Sequence, residues 1–420
     1  MVRLYEYQGK QLLESLGVTV PKGGVASTPQ DTRSIAEKVG KPVVIKAQVW
    51  VTGRFKAGGI KFADNPDEAE KAAESLLGSV IKGQKVEKVL VEERLDIERE
   101  LYASVIVDSS RTVKGPVLIF SMEGGVDIEE LSREHPEKVG KMYIDYLRGI
   151  RIYDAINLIK KYGAPSNLLR TLASVLCRIY DAFVKFDARV VETNPLVVTK
   201  GGNIVAADCR VTIDDSSVYR HPELGIRVAR EFNEPPTVLD ALAWTVEEND
   251  YRGTAYFKQM VSEIKEPGYI GYHGIGGGGA ILGVDALQRV GLKIANYADT
   301  SGNPTASKVY RIAKIILSQP GIEGYLLGGF IVANQEQWHH AHAIVKALRE
   351  ELANKPGFPV ILLLCGNKEE ESLQILREGL KDLPIRLEIY GSEHVYDTDF
   401  IAQRMRALVD EYRKDRGVKA

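Results

Sequence analysis

Residues 190–208, VVETNPLVVTKGGNIVAAD, form two apolar runs around the turn at 200–203, the pattern of a β-hairpin. Glu192 and Asn194 are two residues apart, so they should share one face of the first strand. Asn194 and Asp208 lie symmetrically about the turn, so we expect them roughly opposite each other, about 5 Å apart at Cβ. Oxygen ligands that converge in this way fit Mg²⁺ held by one or two protein groups and by substrate phosphates. Polar residues on the solvated face of an ordinary hairpin are the alternative.

The composition is that of an ordinary globular protein with more than one domain. The chain has 420 residues, more than a single core usually holds, so two or three domains are expected. Its net charge of −2 lacks the basic excess of a nucleic-acid-binding protein. No stretch approaches about 20 apolar residues, so no membrane span is predicted, and the N-terminal segment lacks the apolar region of a signal peptide. Three well-separated cysteines fit reduced thiols, and we expect a cytoplasmic protein.

A polar segment with adjacent prolines, EFNEPPT at 231–237, indicates a linker. We expect a first domain at 1–232, a linker and transition segment at 233–265, and a second domain at 266–420. From residue 268 onward, short apolar strands alternate with amphipathic helices, which predicts a parallel doubly wound sheet. Ligands of such sheets bind beyond the carboxyl ends of the strands.

Three segments of the first domain could bind a nucleotide. Lys46 ends a buried strand and precedes the glycine-rich loop 52–59, where backbone N–H groups could approach phosphate oxygens. Glu92 ends another strand, and together with Glu100 it could accept a ribose hydroxyl or the adenine amine. The paired glycines of 123–128 predict a sharp turn near a ligand. A surface hairpin, a solvated acidic cluster and a plain turn are the respective alternatives.

The second domain carries glycines and polar loops at its strand ends. The segment GIGGGG at 274–279 follows a strand, opens a helix and fits G-x-G-x-x-G. Asp299 ends the next strand about where a ribose-binding acid would lie, so a dinucleotide site is one interpretation. A helix N-terminus behind bare glycines would equally attract a phosphate carried by a partner. The loops 299–305 and 328–334 suit a polycarboxylate, although Thr305 could simply cap the next helix.

Three histidines, His339, His340 and His342, lie close together on the predicted helix 338–352. None has the i, i+4 spacing with an acid that zinc-binding helices use. We therefore expect these histidines to lie on a solvated helix face.

Taken in order, these segments resemble one family over nearly the whole chain. They are similar to the nucleotide-binding β-type subunits of the succinyl-CoA synthetase superfamily, which includes ATP-citrate lyase and citryl-CoA synthetase. The resembling segments are LYEYQGKQLL at 4–13, VVIKAQVWVTGRFKAGGIK at 43–61, VLVEERLDIERELY at 89–102, EGGVDIEEL at 123–131 and VETNPLVVTKGGNIVAAD at 191–208. The resemblance implies an α/β protein with an ATP-grasp fold followed by a flavodoxin-like doubly wound parallel domain.

The resemblance also implies ATP and Mg²⁺ as cofactors and assigns site residues. The positions that match family nucleotide contacts are Lys46, Gly53, Arg54, Phe55, Glu92, Leu95 and Glu100. Asn194 and Asp208 match the Mg²⁺ positions, and Glu192 matches an acid that assists phosphoryl transfer. The expected substrate contacts are Gly276, Gly277, Gly278, Gly279, Ser301, Gly302, Thr305, Gly328, Gly329 and Asn334. Phe55 stands where relatives often have glycine.

In this family a separate α-type subunit carries the phosphohistidine and most of the CoA site, so a hetero-oligomer is expected. ATP would phosphorylate the partner's histidine. The phosphohistidine would then move to the glycine-rich helix terminus at 276–279. There the phosphate would pass to a carboxylate, and CoA would displace it.

The resemblance also bears on the acid. Succinate-using relatives carry asparagine at the position of Ile275, whereas 295–317 and 328–334 look like the citrate-handling branch. That branch has an arginine where this chain has Leu364-Cys365-Gly366. No citrate-synthase-like lyase segment is present, so citryl-CoA would be formed and not cleaved by this chain. We expect the large subunit of citryl-CoA synthetase, or the equivalent subunit of a split ATP-citrate lyase. The alternatives are a succinyl-CoA synthetase (ADP-forming) β subunit, a nicotinamide-binding protein and a non-catalytic regulatory homologue.

Overall fold

The computed structural model describes residues 2–110, 114–226, 228–230, 235–248, 250–329 and 335–417. The chain divides into two compact units, Met1–Pro235 and Pro236–Ala420, and each is described by itself. Within the segment 233–265, expected as a linker and transition, one helix and one edge strand belong to the second unit. None of the helices in the described part of the chain is long and apolar enough to cross a bilayer.

The first unit contains two main β-sheets and a short two-stranded ribbon. Its strands are β1 (Val2–Arg3), β2 (Gly23–Ala26), β3 (Val43–Ala47), β4 (Ile60–Ala63), β5 (Val80–Ile81), β6 (Gln84–Lys85), β7 (Val89–Glu93), β8 (Ile97–Asp108), β9 (Gly115–Ser121), β10 (Val139–Tyr143), β11 (Ala188–Thr199), β12 (Ile204–Ala206) and β13 (Arg210–Ile213). Its α-helices are α1 (Glu6–Ser15), α2 (Pro29–Val39), α3 (Pro66–Leu76), α4 (Ile128–Glu134), α5 (Ile152–Lys161) and α6 (Leu169–Lys185).

The smaller sheet has the antiparallel order β2-β7-β3-β4. Its buried face includes Val43 and Ile45, which alternate along β3 and pack in one core with small residues of α2 and α3. Both helices begin in the same way: Thr28 and Asn65 cap them, and a proline follows at the first helical position. These local signals fix where the two helices start.

The larger sheet has the order β1-β13-β11-β8-β9-β10, with β12 paired to β11. Its two central strands, β8 and β11, are antiparallel and twelve residues long. The helix α6 buries apolar residues at helical spacing, among them Leu172, Leu176, Ile179 and Phe183. In the hairpin, Leu196 pairs with Ala206 and Val198 with Ile204, which confirms the register centred on the 200–203 turn. These two sheets lie in the part of the chain for which an ATP-grasp fold was predicted.

The second unit is a doubly wound α/β domain. Its strands are β14 (Tyr256–Gln259), β15 (Tyr269–Ile275), β16 (Lys293–Asp299), β17 (Tyr325–Gly329), β18 (Pro359–Leu363) and β19 (Arg386–Tyr390). Its α-helices are α7 (Val238–Glu248), α8 (Gly277–Arg289), α9 (Ala306–Leu317), α10 (Trp338–Leu352), α11 (Glu369–Leu380) and α12 (Thr398–Asp415).

The sheet of this unit has the order β14-β16-β15-β17-β18-β19, parallel except for the edge strand β14. The parallel part is the flavodoxin-like order, as predicted. Two separate cores lie against it: one includes residues of α7, α9, α10 and α11, and the other residues of α8 and α12. Because both faces of the sheet are covered, β17 and β18 are buried at every residue.

Candidate active site

Six charged side chains pack together inside the first unit, and we call them the buried ion cluster. They come from α1, β3, the loop after β3, β7 and the segment after β12. The members are Glu6, Lys10, Lys46, Arg54, Glu92 and Asp208. Three carboxylates face three cations, so the formal charges balance. This balance matters because a charge inside a protein is tolerated only when it is paired.

Glu6, in the first turn of α1, contacts all three cations of the cluster. Its Oε1 lies 2.9 Å from Lys10 Nζ and 3.0 Å from Lys46 Nζ. Its Oε2 lies 2.7 Å from Arg54 Nη2, an ion pair without hydrogen-bond alignment. Burial favours the neutral acid, but the charges of Arg54, Lys10 and Lys46 outweigh it and hold the pKa of Glu6 well below its usual range.

The side chain of Lys46 points into the cluster. Its Nζ donates to Glu6 Oε1 at 3.0 Å and to the Ala207 carbonyl oxygen at 2.6 Å, and lies 2.8 Å from Glu92 Oε2. Burial favours the neutral amine, but the carboxylates of the cluster outweigh it and raise the pKa of Lys46. Lys10 Nζ also donates to Glu92, to Oε1 at 2.5 Å and to Oε2 at 2.7 Å. The structure therefore brings Lys46 and Glu92 together, each already paired within the protein.

The loop 52–59 reaches the cluster through Arg54. Nη2 of Arg54 donates to both carboxylate oxygens of Asp208 at 3.0 Å, and Nη1 donates to a backbone carbonyl of β3 at 3.1 Å. Gly53 has a φ of 68°, in the left-handed region that favours glycine. Arg54 is buried, whereas Phe55 beside it is 66% exposed. The loop thus brings a guanidinium, rather than its glycine backbone, to the cluster.

The predicted residues Leu95 and Glu100 lie around the start of β8. Leu95 is half-buried between β7 and β8, and Glu100 lies within β8. The carbonyl oxygen of Glu100 accepts the N–H of Gly124 at 2.9 Å, which docks the 123–127 turn onto the strand. A Cβ on Gly124 would lie 2.2 Å from the carbonyl oxygen of Leu101, so this close approach requires glycine.

Asn194 holds the same turn from β11. Its Oδ1 accepts the N–H of Gly125 at 2.8 Å, and its Nδ2 donates to the carbonyl oxygen of Val126 at 3.0 Å. The pairing of β11 with β8 shifts register between Thr193 and Leu196. Up to Asn194 the alternation is intact: Glu192 and Asn194 are half-buried and Thr193 between them is buried, which fits the expected shared face.

Glu192 has its own polar surroundings. The hydroxyl of Tyr102 donates to Glu192 Oε2 at 3.2 Å. Burial raises the pKa of Glu192, and nearby Asp208 adds to this, while Arg210 and Arg3 oppose it. A carboxyl with a raised pKa exchanges protons closer to neutral pH, a property of general acids and bases.

The hairpin supplies two oxygen donors that fit Mg²⁺. Asn194 Oδ1 and the Asp208 carboxylate keep lone pairs beyond the hydrogen bonds they accept, and the Asp208 side chain is 31% exposed. Burial, followed by the charge of Glu6, raises the pKa of Asp208, and a divalent cation would relieve that cost. Within the described ranges, no group of three His, Cys, Asp or Glu side chains is arranged to hold a metal. The donor set therefore fits an ion completed by phosphates and water, not a closed protein cage.

In the second unit, predicted substrate residues meet at the carboxyl ends of β15 and β16. Gly276 follows β15 with a φ of 90°, and the first turn of α8 contains Gly277, Gly278 and Gly279. The N–H of Gly276 donates to Asp299 Oδ1 at 3.0 Å, and the Ser301 hydroxyl donates to Oδ2 at 3.1 Å. Asp299 therefore holds the glycine turn, which argues against the ribose-binding role of the dinucleotide interpretation.

Thr305 caps α9. Its hydroxyl accepts the N–H of Lys308 at 3.2 Å and donates to Asp250 Oδ2 at 2.6 Å. The capping alternative thus describes its contacts in the structure, and a substrate contact by Thr305 stays a prediction.

The other predicted substrate residues differ in accessibility. Gly302 is exposed, with a φ of 73°. Gly328 and Gly329 are buried in β17, and a Cβ on Gly329 would lie 2.4 Å from the carbonyl oxygen of Leu363. Close strand packing alone explains that glycine. Asn334 lies outside the described residues.

The prediction that these histidines lie on a solvated helix face is wrong for His340. His342 is exposed and His339 half-buried, but His340 has no exposed surface. His340 shares the buried stripe of α10 with Ile344 and Leu348 at i+4 and i+8. That spacing is the sequence signal that identifies it as a core residue.

Sequence reasoning did not single out Glu6 and Lys10. Their i, i+4 spacing on α1 was the available signal, because it places both on one helix face. Their partners Lys46 and Glu92 are 40 and 82 residues away along the chain. Pairing over such separations leaves no local pattern.

Known proteins share both halves of this chain. Residues 3–198 match the family described as ATP-grasp domain, and residues 243–405 match the family described as ATP citrate lyase citrate-binding. The GDP-forming succinate–CoA ligase subunit beta of Thermus thermophilus is 42% identical over 89% of this chain and 93% of its own length. The chain belongs to the succinate–CoA ligase β-subunit family. The ADP-forming subunit beta of Methanothermobacter thermautotrophicus, another family member, is 35% identical over 90% of this chain and 94% of its own length.

A solved structure has the same fold as this chain. The ATP citrate lyase of Methanothrix soehngenii, in complex with citrate and coenzyme A, matches with a TM-score of 0.78 and 20% identity. The match covers 96% of this chain and 99% of that one. The sequence-based resemblance to the succinyl-CoA synthetase and ATP-citrate lyase superfamily is thereby confirmed, as is the fold class.

Proposed function

We propose that this chain is the ATP- and Mg²⁺-dependent subunit of a citrate–CoA ligase. It would form citryl-CoA from citrate and CoA through a phosphohistidine on an α-type partner subunit, with release of ADP and phosphate. The observation that carries the choice of acid is the match of residues 243–405 to a citrate-binding family within a chain whose whole-length relatives are succinate–CoA ligases. The presence of Ile275, where succinate-using relatives have asparagine, supports the same choice.

The first unit would bind the nucleotide and phosphorylate the partner. Arg54 pairs with Asp208 and Lys46 lies in the same buried ion cluster, and incoming phosphates would compete with its carboxylates for these two cations. Asn194 and Asp208 would hold Mg²⁺, which supplies charge neutralisation for phosphoryl transfer when bound. Glu192, whose pKa is raised by burial, would exchange a proton with the histidine that attacks the γ-phosphorus.

The second unit would carry the acid step. A phosphate would lie at the N-terminus of α8, where the N–H groups behind Gly276 are free of side-chain caps. Ser301 and Gly302 follow the adjacent strand β16, and they would contact a carboxylate of the acid there. A carboxylate oxygen of citrate would attack the phosphorus and release the histidine. The CoA thiolate would then attack the acyl carbon and expel inorganic phosphate.

Succinate is the second candidate acid. The 42% identity to a succinate–CoA ligase subunit over 89% of the chain favours it. In that case the loop 299–305 would bind a dicarboxylate without a hydroxyl.

The deciding experiment combines this chain with its α-type partner, ATP, Mg²⁺ and CoA, and measures ADP release with citrate and with succinate in parallel. We expect release with citrate at a kcat/KM at least tenfold above that with succinate. Turnover with succinate alone would refute the citrate assignment. Ser301→Ala serves as the matched variant: it should raise the KM for the acid while phosphorylation of the partner's histidine by ATP stays unchanged.

A further inference from the structure

A chain of buried, uncharged polar side chains runs through the second unit beneath the strand ends, and we call it the strand-end network. Its members are His273, Thr300, Tyr325, Gln335, Gln337 and His340. Each of them has no exposed surface. None of these residues is among the predicted substrate contacts.

The contacts of the network are short and continuous. Tyr325 Oη lies 2.6 Å from His273 Nδ1, and His273 Nε2 lies 2.8 Å from Thr300 Oγ1. His340 Nε2 lies 3.0 Å from both Oγ1 and the carbonyl oxygen of Thr300. On its other side, Gln335 Nε2 donates to His340 Nδ1 at 3.3 Å.

The carbonyl oxygen of Thr300 fixes the tautomer of His340. A carbonyl only accepts, so Nε2 of His340 carries the proton and Nδ1 is the acceptor for Gln335. Thr300 Oγ1 then accepts a hydrogen bond from His340, and its hydroxyl donates one to His273 Nε2. Burial lowers the pKa of His340 to about 4 and that of His273 well below its usual value, so both rings are neutral near pH 7.

The network links four neighbouring strands: it meets β15, β16 and β18 towards their carboxyl ends and β17 at its first residue. His273 lies in β15, Thr300 follows β16, and Tyr325 lies in β17. Gln337, next in the chain of contacts after Gln335, donates to the carbonyl oxygen of Cys365 just beyond β18 at 2.8 Å. Such a connection restrains the strand ends relative to one another, because moving one of them leaves a buried polar group unpaired.

The same network forms hydrogen bonds with the backbone of the loop after β16 at two points. His340 holds the carbonyl oxygen of Thr300, and Gln335 Oε1 accepts the N–H of Asn303 at 3.3 Å. Ser301 and Gly302 lie between these two points. The position of Ser301 and Gly302 is therefore set by side chains that have no exposed surface of their own.

We propose that the strand-end network is a positioning device that fixes the Ser301–Gly302 loop for binding of the acid, and that Thr300 is its central residue. This inference rests on the proposed function, since it assigns the loop to the acid. It predicts that a defect in the network impairs the acid step and spares the nucleotide step, which belongs to the first unit. His273, Thr300 and His340 are thus positioning residues, not catalytic ones.

The test compares Thr300→Val with Thr300→Ser in the assembled enzyme. Valine keeps the shape of threonine and removes the hydroxyl, while serine keeps the hydroxyl and removes the methyl group. We expect Thr300→Val to raise the KM for the acid about tenfold and Thr300→Ser to leave it within about twofold. In both variants the rate at which ATP phosphorylates the partner's histidine should stay at the wild-type level. Tyr325→Phe, one link further from the loop, should give a smaller increase of about threefold.

These readouts separate positioning from general structural support. If the role were merely structural, the KM for the acid would follow the melting temperature, and the serine variant, which leaves a small void, would be impaired as well. A wild-type KM in folded Thr300→Val, or an equal loss of partner phosphorylation, would overturn the inference. Should the wild type use only succinate, the citrate assignment fails and the same variants are measured with succinate. Should it use neither acid, both proposals fail.

Discussion

Replacing Glu6 by glutamine should destabilise the first unit by about 3–5 kcal/mol, the usual cost of removing one partner from a buried ion pair. The side chain of Glu6 is 1% exposed and lies within 3.0 Å of Lys10, Lys46 and Arg54. Glutamine keeps the shape but not the charge. The buried ion cluster would then hold three cations against two carboxylates in a largely buried site.

Urea unfolding of the full chain measures this effect if the signal comes from the first unit alone. The chain has three tryptophans, and only Trp50 lies in the first unit. In a Trp244→Phe, Trp338→Phe background, indole fluorescence therefore reports on that unit. Glu37→Gln is the matched control, because its ion pair with Arg33 is about half exposed on both sides and contributes little.

The dependence on pH gives a second check. The pKa of Glu6 is lowered in the folded state, so its contribution is present above the unfolded pKa of about 4.5 and is lost as the pH falls below it. The difference between wild type and Glu6→Gln should therefore be constant from about pH 5 to 8 and shrink only in stronger acid, where the Glu6 carboxylate becomes protonated. A loss of stability no larger than that of Glu37→Gln would refute the reasoning.

Three further outcomes are expected. Asp208→Ala removes one of the two predicted Mg²⁺ ligands and should cost most of the rate of partner phosphorylation; a near-normal rate would show that the hairpin is not the metal site. His340 has its pKa lowered to about 4 from 6.5, so the second unit should lose up to ~3 kcal/mol of stability as the pH falls between these values, and His340→Gln should flatten that dependence in thermal unfolding. Gly124→Ala should destabilise the first unit by about 1–3 kcal/mol, because the added Cβ would lie 2.2 Å from the Leu101 carbonyl oxygen. Gly115→Ala, with 3.9 Å to its nearest neighbour, is the control, and equal melting temperatures for the two variants would contradict this expectation.

The second unit was predicted well because its elements have strong local signals. The helix 338–352, for example, begins and ends where the sequence predicted. The alternation of strands and helices predicted a parallel doubly wound sheet, and the resemblance implied its flavodoxin-like order. The burial of His340 was not predicted, because a group of three histidines suggested a solvated helix face. Its i, i+4 spacing to Ile344 places it in the core.

The first unit was predicted less completely because its site depends on contacts between distant segments. The register of the 190–208 hairpin was correct, since a tight turn fixes it. The surroundings of its polar residues were not predictable, because the register shift next to Asn194 depends on pairing with β8. Likewise, Lys46 was expected to face a phosphate, and nothing in its neighbourhood along the chain indicates that Glu6 and Glu92 already pair with it.

The buried ion cluster has a consequence for how the chain folds. Its members span positions 6 to 208, so the last carboxylate joins only after some two hundred residues have been synthesised. Until then Arg54 has Glu6 but not Asp208, and sealing the cluster early would trap an unbalanced charge away from water. Closing such long loops is slow, because their entropy is lost before the contacts form. We therefore expect the first unit to leave the ribosome loosely structured at its centre and to become compact in a late step, when the hairpin docks.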